Sequence, residues 1–166
     1  MIATQEKDIN TTLAAELGEL LKVHGLTLVL AESCTGGGVS ECITSISGSS
    51  AWFDRAFITY SNQAKMDMLG VAAQTLDTYG AVSETTAQAM ALGALKHSQA
   101  QLAASIPGIA GPDGGSIEKP VGTVCFAWAA KDGRMVLATH HFAGNRTQIR
   151  QLASQQCLLG LLSLFK

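Results

Sequence analysis

The run Leu26-Thr-Leu-Val-Leu-Ala31 passes straight into Glu-Ser-Cys-Thr-Gly-Gly-Gly, and this junction constrains the fold more than any other feature of the chain. A continuous apolar run of this length reads as a strand buried on both faces, the habit of parallel strands covered by helices. Val39, Cys42, Ile43 and Ile46 then fall on one helical face, so Ser33 to Gly38 is a strand-to-helix turn. A strand that ends in hydroxyls, a thiol and glycine backbone just before a helix places free N–H groups where an anion or a reacting group can meet them.

The alternation continues along the chain. Ile9, Leu13, Leu17, Leu20 and Leu21 recur at helical spacing behind the candidate caps Asp8 and Asn10, and Gly25 supplies the stop. Arg55 to Tyr60 reads as a second strand, and the residues from Asn62 as a short helix closed by Gly70. Ser83, followed at once by Glu84, caps a longer helix through Ala87, Met90, Ala91, Ala94 and Leu95. Gln101 to Ile106 is a third strand, and Pro107 to Pro120 a long glycine and proline loop. Val121–Ala130 and Arg134–Ala143 read as a hairpin turning at Lys131-Asp132-Gly133, and Asn145 caps a final helix from Arg146 to about Phe165. Helices alternate with strands until a hairpin enters late, which predicts a single α/β domain over residues 1–166, three layers deep, with a mixed sheet.

Composition narrows the function. With 166 residues, 47% of them hydrophobic and 14% charged, the chain has the apolar surface for one substantial core. The formal net charge of −2 comes without a run of like charges, so the footprint of a nucleic-acid or membrane-surface binder is missing. The four cysteines, Cys34, Cys42, Cys125 and Cys157, form no metal-binding spacing with each other or with histidine. No metal or cofactor is expected, and a reduced, cytoplasmic setting is. The N-terminal stretch is polar and acidic where a signal peptide is basic and then apolar, and no run approaches a membrane span. What is left is a small-molecule site or a protein partner.

Four clusters sit where strands end: AESCTGGG, YSNQAK, GIAGPDGG and GNRTQIR. In open α/β sheets ligands bind at the carboxyl ends of strands, so these loops are expected to converge on one crevice. Ser33 and Cys34 are both candidate nucleophiles at the start of a helix whose N–H groups favour a developing oxyanion. A cysteine nucleophile generally needs a histidine partner. His24 and His97 lie at helix ends, and His140 and His141 point to opposite faces of a strand, so a buried structural thiol is the alternative for Cys34. Lys65 is the candidate base for Ser33, provided that its surroundings bring its pKa down toward neutrality; otherwise it is a solvated helix lysine. Arg146 and Arg150 share one helical face and form a candidate phosphate clamp. GIAGPDGG lacks the lysine-serine ending of a P-loop, yet its backbone suits close approach to a ribose or phosphate.

Taken together and in this order, AESCTGG, GSSAWF, YSNQAK, GAVSE, GIAGPDGG, KPVGTV and GNR resemble the C-terminal domain family of the competence/damage-inducible protein CinA, from about Thr12 to Leu162. The likeness is strongest to its stand-alone members, and it implies hydrolysis of the carboxamide of nicotinamide mononucleotide to nicotinic acid mononucleotide and ammonia. On this resemblance Ser33 is the nucleophile, Lys65 its base, and Tyr60 lines the catalytic site. Thr35, Gly36 and Gly37, Asn62, Gly108, Gly111 and Arg146 are the residues expected to bind substrate, the N–H groups near Thr35 and Gly36 as oxyanion donors. No cofactor and no metal are implied, and a homodimer is. Larger family members carry an N-terminal pyrophosphatase domain, for which this chain has no room. Many relatives have Thr or Ser directly before GIAGP; here that position is Pro107, with Ser105 two residues away. That departure motivates an alternative function, a nucleotide-binding regulatory or interaction module without turnover.

Overall fold

The computed structural model of the protein describes residues 8–166; Met1 to Lys7, part of the polar N-terminal stretch considered above, lie outside the described residues. The first helix, α1 (Ile9–His24), buries Ala14, Leu17 and Leu21 and ends on Gly25 in the left-handed conformation. Asp8 occupies its N-cap without a side-chain capping bond. Asn10 does not cap either: it is buried inside the first turn and donates from Nδ2 to the carbonyl of Gln151, 3.1 Å away.

Strand β1 (Leu28–Glu32) is fully buried and leads through the Ser33 turn into helix α2 (Gly38–Thr44). Strand β2 (Phe53–Ile58) is followed by helices α3 (Asn62–Leu69), α4 (Ala73–Tyr79) and α5 (Glu84–Lys96), then by strand β3 (Leu102–Ile106). The hairpin of β4 (Thr123–Ala130) and β5 (Met135–His141) and the long helix α6 (Arg146–Ser163) complete the chain. Ser83 and Asn145 both cap as expected, Ser83 accepting from Thr86 N–H and Asn145 forming a reciprocal capping box with Gln148.

The five strands lie in the order β2-β1-β3-β4-β5, β1 pairing parallel with β2 and β3, and β4 antiparallel with β3 and β5. The sheet is therefore mixed. Its apolar side chains divide by the two-residue period. Leu28, Leu30, Ala104, Ile106, Phe126 and Trp128 pack against α1, α2 and α6, while Val29, Ala31, Ala103, Cys125 and Ala127 pack against α3, α4 and α5. The result is the expected α/β/α sandwich. Its layers come close where side chains are missing: a Cβ on Gly160 of α6 would lie 2.0 Å from the Trp128 ring, whose Nε1 donates to the Cys157 carbonyl at 3.0 Å.

One strand is shifted from its expected span, and two short helical elements are additional to the sequence expectation. β2 begins at Phe53 and stops before Thr59, two residues ahead of the expected span, because its ladder with β1 starts at Leu28–Phe53 across an irregularity. Helix α4 and a single 3₁₀ turn at Ser49–Ala51 were not expected. Each is short and buries one side chain of its own, Leu76 and Ser49, so neither has an apolar period to display.

The connectivity locates a crevice. From β1 the chain crosses through α2, on one face, to β2; it then returns through α5, on the other face, to β3 on the opposite side of β1. The carboxyl end of β1 is thus a topological switch point, where the loops part and leave room for a ligand. Ser33 is the first residue past that end.

Candidate active site

The turn after β1 is organised by a carboxylate. Glu32, the last residue of β1, is fully buried. Its Oε2 accepts from the Thr35 hydroxyl at 2.7 Å, from Gly37 N–H at 2.9 Å and from Val39 N–H at 3.3 Å, while Oε1 accepts from Ser40 N–H at 2.9 Å and from the Ser40 hydroxyl. Five donors offset the cost of burying the charge, and three of them, the N–H groups of Gly37, Val39 and Ser40, are backbone groups at the start of α2 that otherwise lack partners. The motif caps its own helix from the strand side.

This changes what the turn offers a substrate. The Thr35 side chain faces inward to Glu32, Gly37 N–H is committed to the same carboxylate, and Gly36 N–H closes onto the Ser33 carbonyl at 3.0 Å. Of the expected backbone donors, Thr35 N–H is the one with no protein acceptor among the described residues.

Ser33 and Lys65 come together from positions 32 apart. Lys65 lies on α3, which Ser61 caps by accepting from Ala64 N–H. The first turn of α3 aims the lysine side chain back under the end of β1, where Nζ lies 3.2 Å from Ser33 Oγ and donates to the Thr59 carbonyl at 2.8 Å. Ser33 is 7% exposed and Lys65 2% exposed. No carboxylate forms an ion pair with Lys65 among the described residues. Desolvation by burial accordingly pulls the ammonium pKa below its ordinary value, against a smaller opposing influence of Cys34. Thr59, which also donates its N–H to the Glu32 carbonyl at 2.8 Å, ties the lysine to the end of β1.

Cys34 is in the opposite condition. Its Sγ is buried and faces the Ile106 carbonyl at 3.6 Å, and burial, helped by the nearby Glu32 charge, pushes its thiol up to about 12. A thiol of that kind is neutral and inert at physiological pH. Gly108 makes room for it, since a Cβ there would lie 2.9 Å from Cys34 Sγ and 2.8 Å from Val124. Gly108 therefore has a packing reason to be glycine.

The outer rim is formed by Tyr60, Asn62, Gly111 and Arg146. Tyr60 is 62% exposed, and Asn62 is exposed at the start of α3. Arg146 donates to the Gly111 carbonyl at 2.6 Å and to the Tyr60 hydroxyl at 2.8 Å. Arg150 does not join Arg146 at this rim. It turns instead to the carbonyls of Cys34, at 3.1 Å from Nε, and Thr35, at 2.9 Å from Nη2. A cavity of about 350 Å³ opens on the far side of the turn, between α1, α2 and α6, but neither Ser33 nor Lys65 lines it. Among the described residues no cluster of His, Cys, Asp or Glu is arranged to hold a metal, and no helix is long and apolar enough to cross a membrane.

The family model of the CinA C-terminal domain matches residues 10–165. The chain belongs to the CinA C-terminal domain family. It is 55% identical over 142 residues to a nicotinamide-nucleotide amidohydrolase PncC of Enterobacter agglomerans, covering 86% of this chain and 87% of the relative. A protein of the same name from Escherichia coli K12 is 53% identical over 146 residues, covering 88% of each. Among solved CinA-type structures, the competence/damage inducible protein CihA from Agrobacterium tumefaciens superposes with a TM-score of 0.93 at 45% identity, over 95% of this chain and 96% of that one.

Within this CinA domain, Ser105 does not replace the hydroxyl missing at Pro107. It is fully buried on the α5 side of the sheet and donates to the Ala87 carbonyl at 2.6 Å, while Ile106 faces the other core. Glu32, Thr59 and the true partner of Arg150 were missed at the sequence level. For Glu32 a signal existed, a carboxylate between an apolar strand and a helix N-terminus. For Thr59 and Arg150 none did, since Thr59 holds Lys65 through its own backbone carbonyl and Arg150 binds the backbone carbonyls of Cys34 and Thr35.

Proposed function

We propose that this protein hydrolyses the carboxamide of nicotinamide mononucleotide, releasing ammonia and nicotinic acid mononucleotide, with Ser33 as nucleophile and Lys65 as general base. The observation that carries this reading is the buried Lys65 amine, without a carboxylate partner among the described residues, 3.2 Å from Ser33 Oγ at the sheet's switch point. The names of the amidohydrolase relatives supply the substrate.

In the neutral form, Lys65 Nζ still donates to the Thr59 carbonyl and presents its lone pair to the Ser33 hydroxyl. It takes the Ser33 proton as Oγ bonds to the carboxamide carbon, and the oxyanion settles on Thr35 N–H. Collapse breaks the C–N bond, and the proton on Lys65 passes to the departing nitrogen, which leaves as ammonia. Water then attacks the acyl-enzyme, giving one proton to Lys65 and the hydroxyl to the carbon; Ser33 leaves and recovers the proton. Arg146 and Tyr60 receive the nucleotide end, Asn62 and the Gly111 loop flank it, and the reading retains a homodimeric assembly in the cytoplasm.

Purified protein incubated with nicotinamide mononucleotide should release ammonia and the acid nucleotide in equal amounts, and the Ser33→Ala variant should release neither. Tight binding of the mononucleotide by calorimetry with no ammonia formed would instead favour the regulatory module that Pro107 motivates.

A further inference from the structure

Arg150 sits on α6, half-buried, with no carboxylate partner among the described residues. Its guanidinium is committed to two consecutive peptide carbonyls, those of Cys34 and Thr35, directly after the nucleophile. A trans peptide points its C=O and its N–H in opposite directions. By drawing the Cys34 carbonyl toward α6, Arg150 turns the Thr35 N–H of the same peptide away from α6, and that N–H has no protein acceptor among the described residues. The Thr35 carbonyl is held in the same way, while the Gly36 N–H of its peptide closes the turn onto Ser33. Gly36 follows in the left-handed conformation, φ 57°, and a Cβ there would lie in van der Waals contact with Arg150 Nη2, at 3.4 Å.

From this geometry we propose that Arg150 is a positioning residue for the reaction: it fixes and polarises the Thr35 N–H as the oxyanion donor, acting through the Cys34 carbonyl. A charged donor on a carbonyl strengthens the N–H of the same amide, because linked hydrogen bonds polarise one another. Arg150 thus acts on the transition state, unlike Arg146, which faces the nucleotide end. The inference rests on Ser33 as the nucleophile.

The test uses two readouts, kcat and KM for ammonia release from nicotinamide mononucleotide, and the rate at which a fluorophosphonate probe labels Ser33, followed by intact mass. The probe's P=O needs the same oxyanion donor and does not depend on the natural substrate. Arg150→Ala should lower kcat and the labelling rate together by about 10- to 100-fold, with KM within about twofold, since losing an oxyanion donor outright costs about 10² to 10³ in kcat. Free guanidinium ion, well below denaturing concentrations, should restore part of both. Arg150→Lys, with charge but one ammonium for two carbonyls, should fall between, and Arg150→Gln near Ala; this series decides the matter if Arg150→Ala does not fold. Wild-type kcat and labelling in the folded variants, or a loss confined to KM, would overturn the proposal. If the wild type labels but does not deamidate the mononucleotide, the substrate assignment fails and the labelling series still judges Arg150. If Ser33 neither labels nor turns over, both fall.

Discussion

Arg146 at the start of α6 donates from Nη2 to the hydroxyl of Tyr60, 86 positions earlier, at 2.8 Å, and from Nη1 to the Gly111 carbonyl at 2.6 Å. One guanidinium therefore joins the loops after β2 and β3, and its cationic face is oriented before a substrate arrives. A charge-assisted phosphate contact contributes on the order of 1.5 to 3 kcal/mol, so Arg146→Ala should raise KM for the mononucleotide about 10- to 100-fold while leaving kcat nearly unchanged. Tyr60→Phe removes the anchor and not the charge, and its effect on KM should stay within about tenfold. The unphosphorylated riboside should be a poor substrate for the wild type and insensitive to Arg146→Ala. Equal efficiency on riboside and mononucleotide would dismiss the clamp.

The neighbouring side chains Ser33 and Cys34 should behave oppositely. Ser33→Ala should abolish ammonia release with an unchanged unfolding midpoint, because it deletes one oxygen from a site that is already polar. Cys34→Ala should keep most of the activity, since the thiol, pushed up to about 12, is neutral at working pH and turned toward Ile106. It should cost about 1 kcal/mol in stability for the space left beside Gly108. A folded Cys34→Ala without turnover would return the nucleophile to the thiol.

The layer order, the hairpin, the caps at Ser83 and Asn145 and the strand-to-helix turn at Ser33 can all be read from the chain because each rests on local chemistry: apolar period, a short polar cap or glycine. The pairing of Ser33 with Lys65 is expected from their places at two strand ends, but its 3.2 Å distance is not, since that depends on where α3 lies after β2 ends. The four-residue spacing of Arg146 and Arg150 rightly places them on one helical face, but spacing does not say what each reaches; one finds a phenol and the other two carbonyls. Backbone acceptors are present at every position, so side chains that bind them have no sequence partner to betray them.

Glu32 should matter to the fold before it matters to catalysis. Glu32→Ala leaves five donors around a buried gap and should destabilise by on the order of 3 kcal/mol or more. Glu32→Gln is the sharper test. With its NH₂ placed at the Oε1 position, the Ser40 hydroxyl rotates to accept and three bonds to Oε2 survive, but the Ser40 N–H meets a donor. The loss should be about 1 to 2 kcal/mol by urea denaturation. A Glu32→Gln variant as stable as the wild type would show that the carboxylate does not hold the turn.

Lys65 makes a demand on pH that a solvated lysine does not. Its pKa is lowered by burial from the ordinary 10.5, so kcat/KM should rise with pH through a single ionisation below 10.5 as the amine loses its proton. Lys65→Arg keeps a cation but cannot deprotonate near neutrality, so it should fail about as completely as Lys65→Ala. Stability moves in the same direction. The unfolded chain holds the Lys65 proton up to 10.5 and the folded chain releases it earlier, so between the two pKa values the unfolded state binds more protons and stability rises with pH. Below the folded pKa both states carry the charge and the full burial penalty remains. Relative to Lys65→Met, which carries no charge to bury, the wild type should therefore gain stability as pH is raised through that window, measured by urea midpoints at a series of pH values. Turnover by Lys65→Arg with the acidic limb unchanged would remove the general-base role, and a stability difference independent of pH would show that the lysine is not desolvated in solution.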